Sequence, residues 1–201
     1  MSNCYVRVWT PHDGMIGHAA MESGGDYISW WPEEAAYAAA ASEYTPMTGA
    51  SHTLLEDLDP EVGEGRAPDF RIGPIRDLDT GAIKTWWDAF RVDPASTWSL
   101  DGSNCSWVVM AALWAGGANK YWPFRRFFEA MIGGGATGSL PVSPYDCVTG
   151  ARILVGQYDW SIPQLGQYTY RRMANGLGNA YYYGAAARRS AYQKVMGAFF
   201  D

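Results

Sequence analysis

The segment Asn104-Cys-Ser-Trp-Val-Val-Met-Ala-Ala-Leu-Trp-Ala-Gly-Gly117 constrains the fold of this chain more than any other. With Cys105 as the first helical position, Cys105, Val108, Val109, Ala112, Leu113 and Gly116 share one face. Ser103 or Asn104 is placed to cap the start, and Gly116-Gly117 to end it. The apolar run from Trp107 to Ala115 is about half of the roughly 20 residues that a membrane-spanning helix needs, so it has to be buried in protein. A thiol therefore stands at the mouth of a buried helix. With 201 residues the chain can form a sizeable core of its own. Ten Trp and thirteen Tyr, with only 18% charged residues, exclude a disordered chain and a coiled coil.

The start Met-Ser-Asn-Cys-Tyr-Val-Arg lacks the basic-then-apolar layout of a signal peptide. The chain is accordingly expected to be soluble, cytoplasmic in the producing cell, and exported, if at all, without a cleaved signal. Cys4, Cys105 and Cys147 are too few and too far apart for a disulfide framework. No CxxC or His-rich spacing suggests a metal site, and no metal or organic cofactor is expected. Residues 1–91 carry six Lys/Arg against fifteen Asp/Glu, which argues against a nucleic-acid partner for the body of the chain.

Cys4–Trp9 reads as a strand. Residues 16–22 and 27–31 read as an antiparallel hairpin about Gly24-Gly25, with Pro32 stopping its second strand. Residues 33–42 are Ala-rich enough for a short helix. Between Ser42 and Gly65 lie six acidic residues and no basic one, broken by Pro and Gly. This stretch reads as a long solvated surface excursion with no chemistry of its own. A strand over 69–72 and helices over 79–91, 121–132 and 143–155 follow, the last opened by Ser143-Pro144. From Gly156 the composition shifts to Tyr interleaved with Arg, which divides the chain into a body, 1–155, and an extension, 156–201, packed on it.

The chemistry concentrates on two residues. The unpaired amides and dipole of a helix N-terminus favour a thiolate at Cys105, and the same amides can hold the oxyanion of acyl transfer, assisted by Asn104 or Ser103. His18 is the general base, fixed in direction by its strand and flanked by the small residues Gly17, Ala19 and Ala20; His12 and His52 fall in loops. A hairpin centred on Gly24-Gly25 sets His18 opposite Trp31, on a face with Ala20, Glu22, Tyr27 and Ser29, with Glu33 diagonal to it. That geometry nominates Ser29, Glu33 and Glu22 to orient the imidazole, with Asp13 from the preceding turn as a further option. Trp30, Trp31, Trp98 and Trp107 flank these positions and are the candidate walls of a substrate cleft.

Gly17-His18-Ala19-Ala20-Met21-Glu22, Tyr27-Ile28-Ser29-Trp30-Trp31-Pro32 and Asn104-Cys105-Ser106 resemble the motifs of the circularly permuted papain-like superfamily, in which the His strand precedes the Cys helix. Its members include permuted NlpC/P60 enzymes, lecithin–retinol acyltransferase-like proteins and PPPDE isopeptidases. The resemblance, over residues 4–155, implies an α+β fold with an antiparallel sheet packed against the Cys-bearing helix. It also implies Cys105 as nucleophile and His18 as base. The Tyr-Ile-Ser-Trp-Trp-Pro string is similar to that of bacterial toxin-like effectors. The function expected is a cysteine hydrolase acting on an amide or isopeptide bond in peptidoglycan peptides or a protein, with an immunity or carrier protein as partner and no membrane anchor. The alternatives are a deamidase, an acyltransferase or thioesterase with the same dyad, or a catalytically silent binding protein.

Overall fold

The structure, a computed structural model, describes residues 3–12, 16–33, 46–100, 102–132 and 142–156. Most of the Ala-rich stretch 33–42, Asp13 and nearly all of the extension 156–201 lie outside the described residues.

Strand β1 (Cys4–Trp9) pairs antiparallel with β2 (His18–Ser23), and β2 with β3 (Asp26–Ile28), Met21 facing Ile28 and Glu22 facing Tyr27. This is the register that a turn on Gly24-Gly25 dictates; both glycines have positive φ, which an L side chain resists. The hairpin is shorter than its sequence suggests. Its second strand leaves the sheet at Ser29, and β4 (Trp30–Pro32) pairs instead with β5 (Met47–Ser51). The Ser29 carbonyl accepts the His52 amide at 3.3 Å where the chain changes sheets. Pro32 thus closes a strand of a second sheet.

The segment 42–65 contains more than a solvated loop. Besides β5 it carries a one-turn helix, α1 (Leu54–Leu58), opened by a capping box in which Thr53 and Glu56 satisfy each other's backbone amides. Strand β6 (Phe70–Ile75) completes the first sheet in the order β3-β2-β1-β6. Helix α2 (Thr80–Phe90) is capped by Asp79, and β7 (Thr97–Trp98) joins the second sheet in the order β4-β5-β7.

Helix α3 (Cys105–Ala115), capped by Asn104, packs against β2 and α2. Helices α4 (Trp122–Ile132) and α5 (Pro144–Leu154) follow, with α5 covering β1 and β6. The architecture is α+β with antiparallel sheets. One core joins Val6, Val8, Ala19, Met21 and Ile28 of the first sheet to Val108, Val109, Ala112 and Leu113 of α3 and to Cys147, Ala151 and Ile153 of α5. Apolar residues therefore face inward around much of α3, as its uncharged sequence requires. No helix among the described residues is long and apolar enough to cross a membrane.

Gly49, paired with Pro32, lies under the Trp30 indole: a Cβ there would come within 2.1 Å of the ring. Gly49→Ala is expected to lower stability by about 1–3 kcal/mol through overpacking, read as a fall in the urea midpoint at unchanged slope.

Candidate active site

His18 begins β2, opposite Trp9, and is 2% exposed. Its imidazole is gripped between two indoles, with Trp31 stacked at 4.3 Å and Trp9 tilted at 5.5 Å between ring centroids. Nε2 lies 2.9 Å from Ser29 Oγ and 3.3 Å from Asp57 Oδ2. Cys105 is close enough to help hold the His18 imidazole charged. Nε2 is directed at Ser29 and Asp57, so Nδ1 is the ring nitrogen left for a further partner.

Asp57, on α1, is the group that sequence reasoning missed. It is 0% exposed, inside a segment read as solvated. Tyr27 Oη donates to its Oδ2 at 2.7 Å, while Ser29 Oγ at 3.0 Å and Trp31 Nε1 at 2.7 Å donate to Oδ1. His52 Nδ1 lies 3.5 Å from Oδ1. Tyr27, Ser29 and Trp31 alternate along the chain, so a single face of the hairpin's second strand delivers three donors to one carboxylate. The Thr53-x-x-Glu56 box was the available signal: it marks a helix start, and Asp57 follows in the same turn. The backbone of Gly63 closes on this turn, where a Cβ would stand 2.2 Å from the Glu56 carbonyl oxygen, and the Glu64 amide donates to the Asp57 carbonyl at 2.8 Å.

The electrostatics are those of a buried ion pair. Burial by itself pushes His18 down, but the charges of Asp57 and Cys105 and their hydrogen bonds outweigh it, and its pKa is pushed up to about 10. Burial likewise pushes Asp57 up, and is outweighed by the His18 charge and the hydrogen bonds it accepts, so its carboxyl stays well below the usual range. Tyr27 is driven upward by burial and by the Asp57 charge, which keeps its hydroxyl a donor.

Cys105 opens α3 and is 6% exposed, with Ser106 Oγ 3.9 Å from its sulfur. Asn104 locks this end of the helix. Its Oδ1 accepts the Trp107 amide at 2.8 Å, and its Nδ2 donates to the Leu100 carbonyl at 2.8 Å and the Val142 carbonyl at 2.9 Å. Both amide protons are thereby spent, so Asn104 positions the helix start rather than donating to an oxyanion. The Cys105 and Ser106 amides, in the first helical turn, have no acceptor within the helix. Cys147 on α5 donates from Sγ to the Ser106 carbonyl at 3.3 Å, fastening the same turn from below. Ser103 is half-buried in the loop leading to the cap.

Of the residues nominated to orient the imidazole, the structure brings Ser29 to His18. Glu33 is exposed beyond β4, where its amide bonds the Thr48 carbonyl, and Glu22 is committed to Arg7 and Arg71. Glu33 lies elsewhere because the second strand changes sheets, and Glu22 because it stands four residues along β2 from His18, between two arginines; the carboxylate comes from α1 instead. Of the four Trp proposed as cleft walls, Trp30 and Trp98 are core residues and Trp31 is a donor within the site. Trp107 is half-buried against Phe90, which stacks in turn on Trp86. Among the described residues, no group of three or more His, Cys, Asp or Glu is arranged to hold a metal ion.

Fold and side chains together define an α+β protein in which a histidine and an aspartate are paired in the interior and a cysteine is buried at a helix start. Residues 39–131 match a family described as the IcsB middle domain, a stretch that includes Asp57 and Cys105 and begins after His18. Nothing matches among curated proteins or among solved structures.

Asp57→Ala leaves the imidazolium, two buried donors and the half-buried Tyr27 hydroxyl without an acceptor, and is expected to cost about 3–5 kcal/mol. The stabilisation held by the pair has a defined pH window. The part from His18 is complete below its ordinary value of 6.5 and disappears as pH rises through about 10. The part from Asp57 is complete above the ordinary 3.8 and is lost as pH falls below it. The gap in urea midpoint between wild type and Asp57→Asn should therefore be widest between these two ordinary values, and narrow on either side.

Proposed function

We propose that this protein is a papain-like thiol enzyme in which Cys105 attacks an acyl carbonyl, His18 moves the proton and Asp57 holds the imidazole. The observation that carries this reading is the buried ion pair of Asp57 and His18, whose charge Cys105, at a helix N-terminus, helps to hold. In the resting site His18 already holds the thiol proton as an imidazolium, leaving Cys105 a thiolate, and Asp57, through Nε2, fixes the ring and balances that charge. The thiolate adds to the carbonyl, and the developing oxyanion is held by the first-turn amides of α3. His18 then returns the proton to the leaving amine, and water releases the thioacyl enzyme.

The substrate class on this reading is an amide or isopeptide bond in a protein or in peptidoglycan peptides. The resemblance of the His and Cys motifs to the permuted papain-like superfamily supports the chemistry. The similarity of residues 39–131 to the IcsB middle domain supports an effector role. A second reading, acyl transfer to an amine, uses the same thioacyl intermediate. It is favoured by the half-buried aromatic surface of Trp86, Phe90 and Trp107 beside the first turns of α3, which suits an apolar acyl chain.

Burial pushes the thiols of Cys4 and Cys147 upward, so neither competes as a nucleophile. Stoichiometric iodoacetamide at pH 6.5, followed by peptide mass spectrometry, should therefore modify Cys105 selectively. His18→Ala should slow that reaction by at least about tenfold. Equal labelling of the three thiols, or no effect of His18→Ala, would discard the enzyme. Expression of wild type and Cys105→Ala in bacterial cytoplasm and periplasm assigns the target. Lysis only from the periplasm indicates the cell wall, and toxicity only in the cytoplasm indicates a protein. A mass increase on a cytoplasmic protein in place of cleavage selects acyl transfer.

A further inference from the structure

The Asp57 carboxylate meets a second imidazole that the proposed mechanism does not use. His52 follows β5, with Nδ1 3.5 Å from Asp57 Oδ1. Its ring stacks on Trp31 at 5.2 Å and 16°, and Trp31 also stacks on His18 at 4.3 Å. Two imidazoles thus share one indole and one carboxylate, each near a different oxygen: His18 at Oδ2 and His52 at Oδ1. His52 Nδ1 is buried and accepts or donates no hydrogen bond of ordinary geometry among the described residues. The His52 side chain is 16% exposed against 2% for His18, so the outer ring is the one in exchange with solvent.

We propose that His52 is a positioning residue that competes with His18 for the charge of Asp57. A single buried carboxylate balances one imidazolium. When His52 is neutral, that charge is available to His18, and the thiolate–imidazolium pair with Cys105 is favoured. When His52 is protonated, Asp57 is shared, His18 holds its proton less firmly, and the proton returns to the thiol. Among the described residues, the charged groups set against His52 are Asp57 and Glu56 from α1, while β4 presents the uncharged Trp31 indole. Glu56 is held in the capping box by the Thr53 amide, so it adds a fixed negative charge and does not exchange partners. Acid thus reaches the buried pair through an outer histidine.

The inference rests on the Cys105–His18–Asp57 reading, and its test separates the two. The second-order rate of Cys105 alkylation by iodoacetamide is measured on the full chain from pH 4.5 to 8.5 for wild type, His52→Gln and His18→Ala. In His52→Gln the uncharged amide cannot compete. Its rate near pH 8 should stay within about twofold of wild type, while the acid limb moves about one pH unit lower. A limb that stays in place or moves higher overturns the role of His52. A wild-type rate no faster than that of His18→Ala overturns the active-site reading instead. Ring-labelled histidine NMR of the wild type gives a second measure that does not depend on a variant folding. The His18 signals should move together with those of His52 as the pH is lowered, and signals that move independently would overturn the coupling.

Discussion

A carboxylate with no access to water must find its donors and its counter-charge within the protein, and the environment of Asp57 supplies both. Tyr27 comes from β3, Ser29 from the point where the chain leaves the first sheet, Trp31 from β4, and the imidazole from β2. The carboxylate therefore ties the second sheet to the first, and the path of the chain at Ser29 follows from it. Such a group is costly to bury alone and costly to unpair once buried. That asymmetry makes the turn at 54–58 part of the interior although the residues around it are exposed and acidic.

His18 and Cys105 are supported by separate physical means. The imidazole draws on a fixed charge, Asp57, and is packed between two indole rings. Cys105 stands at the start of a helix, where unpaired amides and the dipole favour an anion. Asn104 makes that second support precise: three hydrogen bonds from one side chain join the first turn of α3 to the loop before it and to the lead-in of α5. Cys105 and His18 consequently stand on a packed helix and a packed strand that press against each other, where a small displacement of either would change their separation.

Much of this was legible in residues 4–31 and 104–117. The pair Gly24-Gly25 set the hairpin register, and with it the face that carries His18, Tyr27, Ser29 and Trp31. The uncharged run after Asn104 required a buried helix with Cys105 at its mouth. The segment 42–65 was read by charge and by its Pro and Gly content, and both mislead there. Charge density says that a stretch is mostly solvated, while a single aspartate in it can still be wholly buried. Glu33 illustrates the complementary error, since alternation carried past Ser29 assumes one continuous strand.

The sequence by itself determined which thiol stands at a helix start and which histidine lies on a strand of the hairpin, because those properties depend on neighbours within one helix turn or one hairpin. A thiol at a capped helix start and a histidine on a strand of known register are local facts. Only the tertiary structure decided which acid completes the site. The contacts between Asp57 and Tyr27, Ser29 and Trp31 join positions 26 to 30 residues apart, through a segment with no regular period of its own. What selects Asp57 among fifteen acidic side chains in residues 1–91 is the requirement that a buried imidazolium and the donors of Tyr27, Ser29 and Trp31 share one acceptor. That requirement exists only once the sheets and α3 have closed around them.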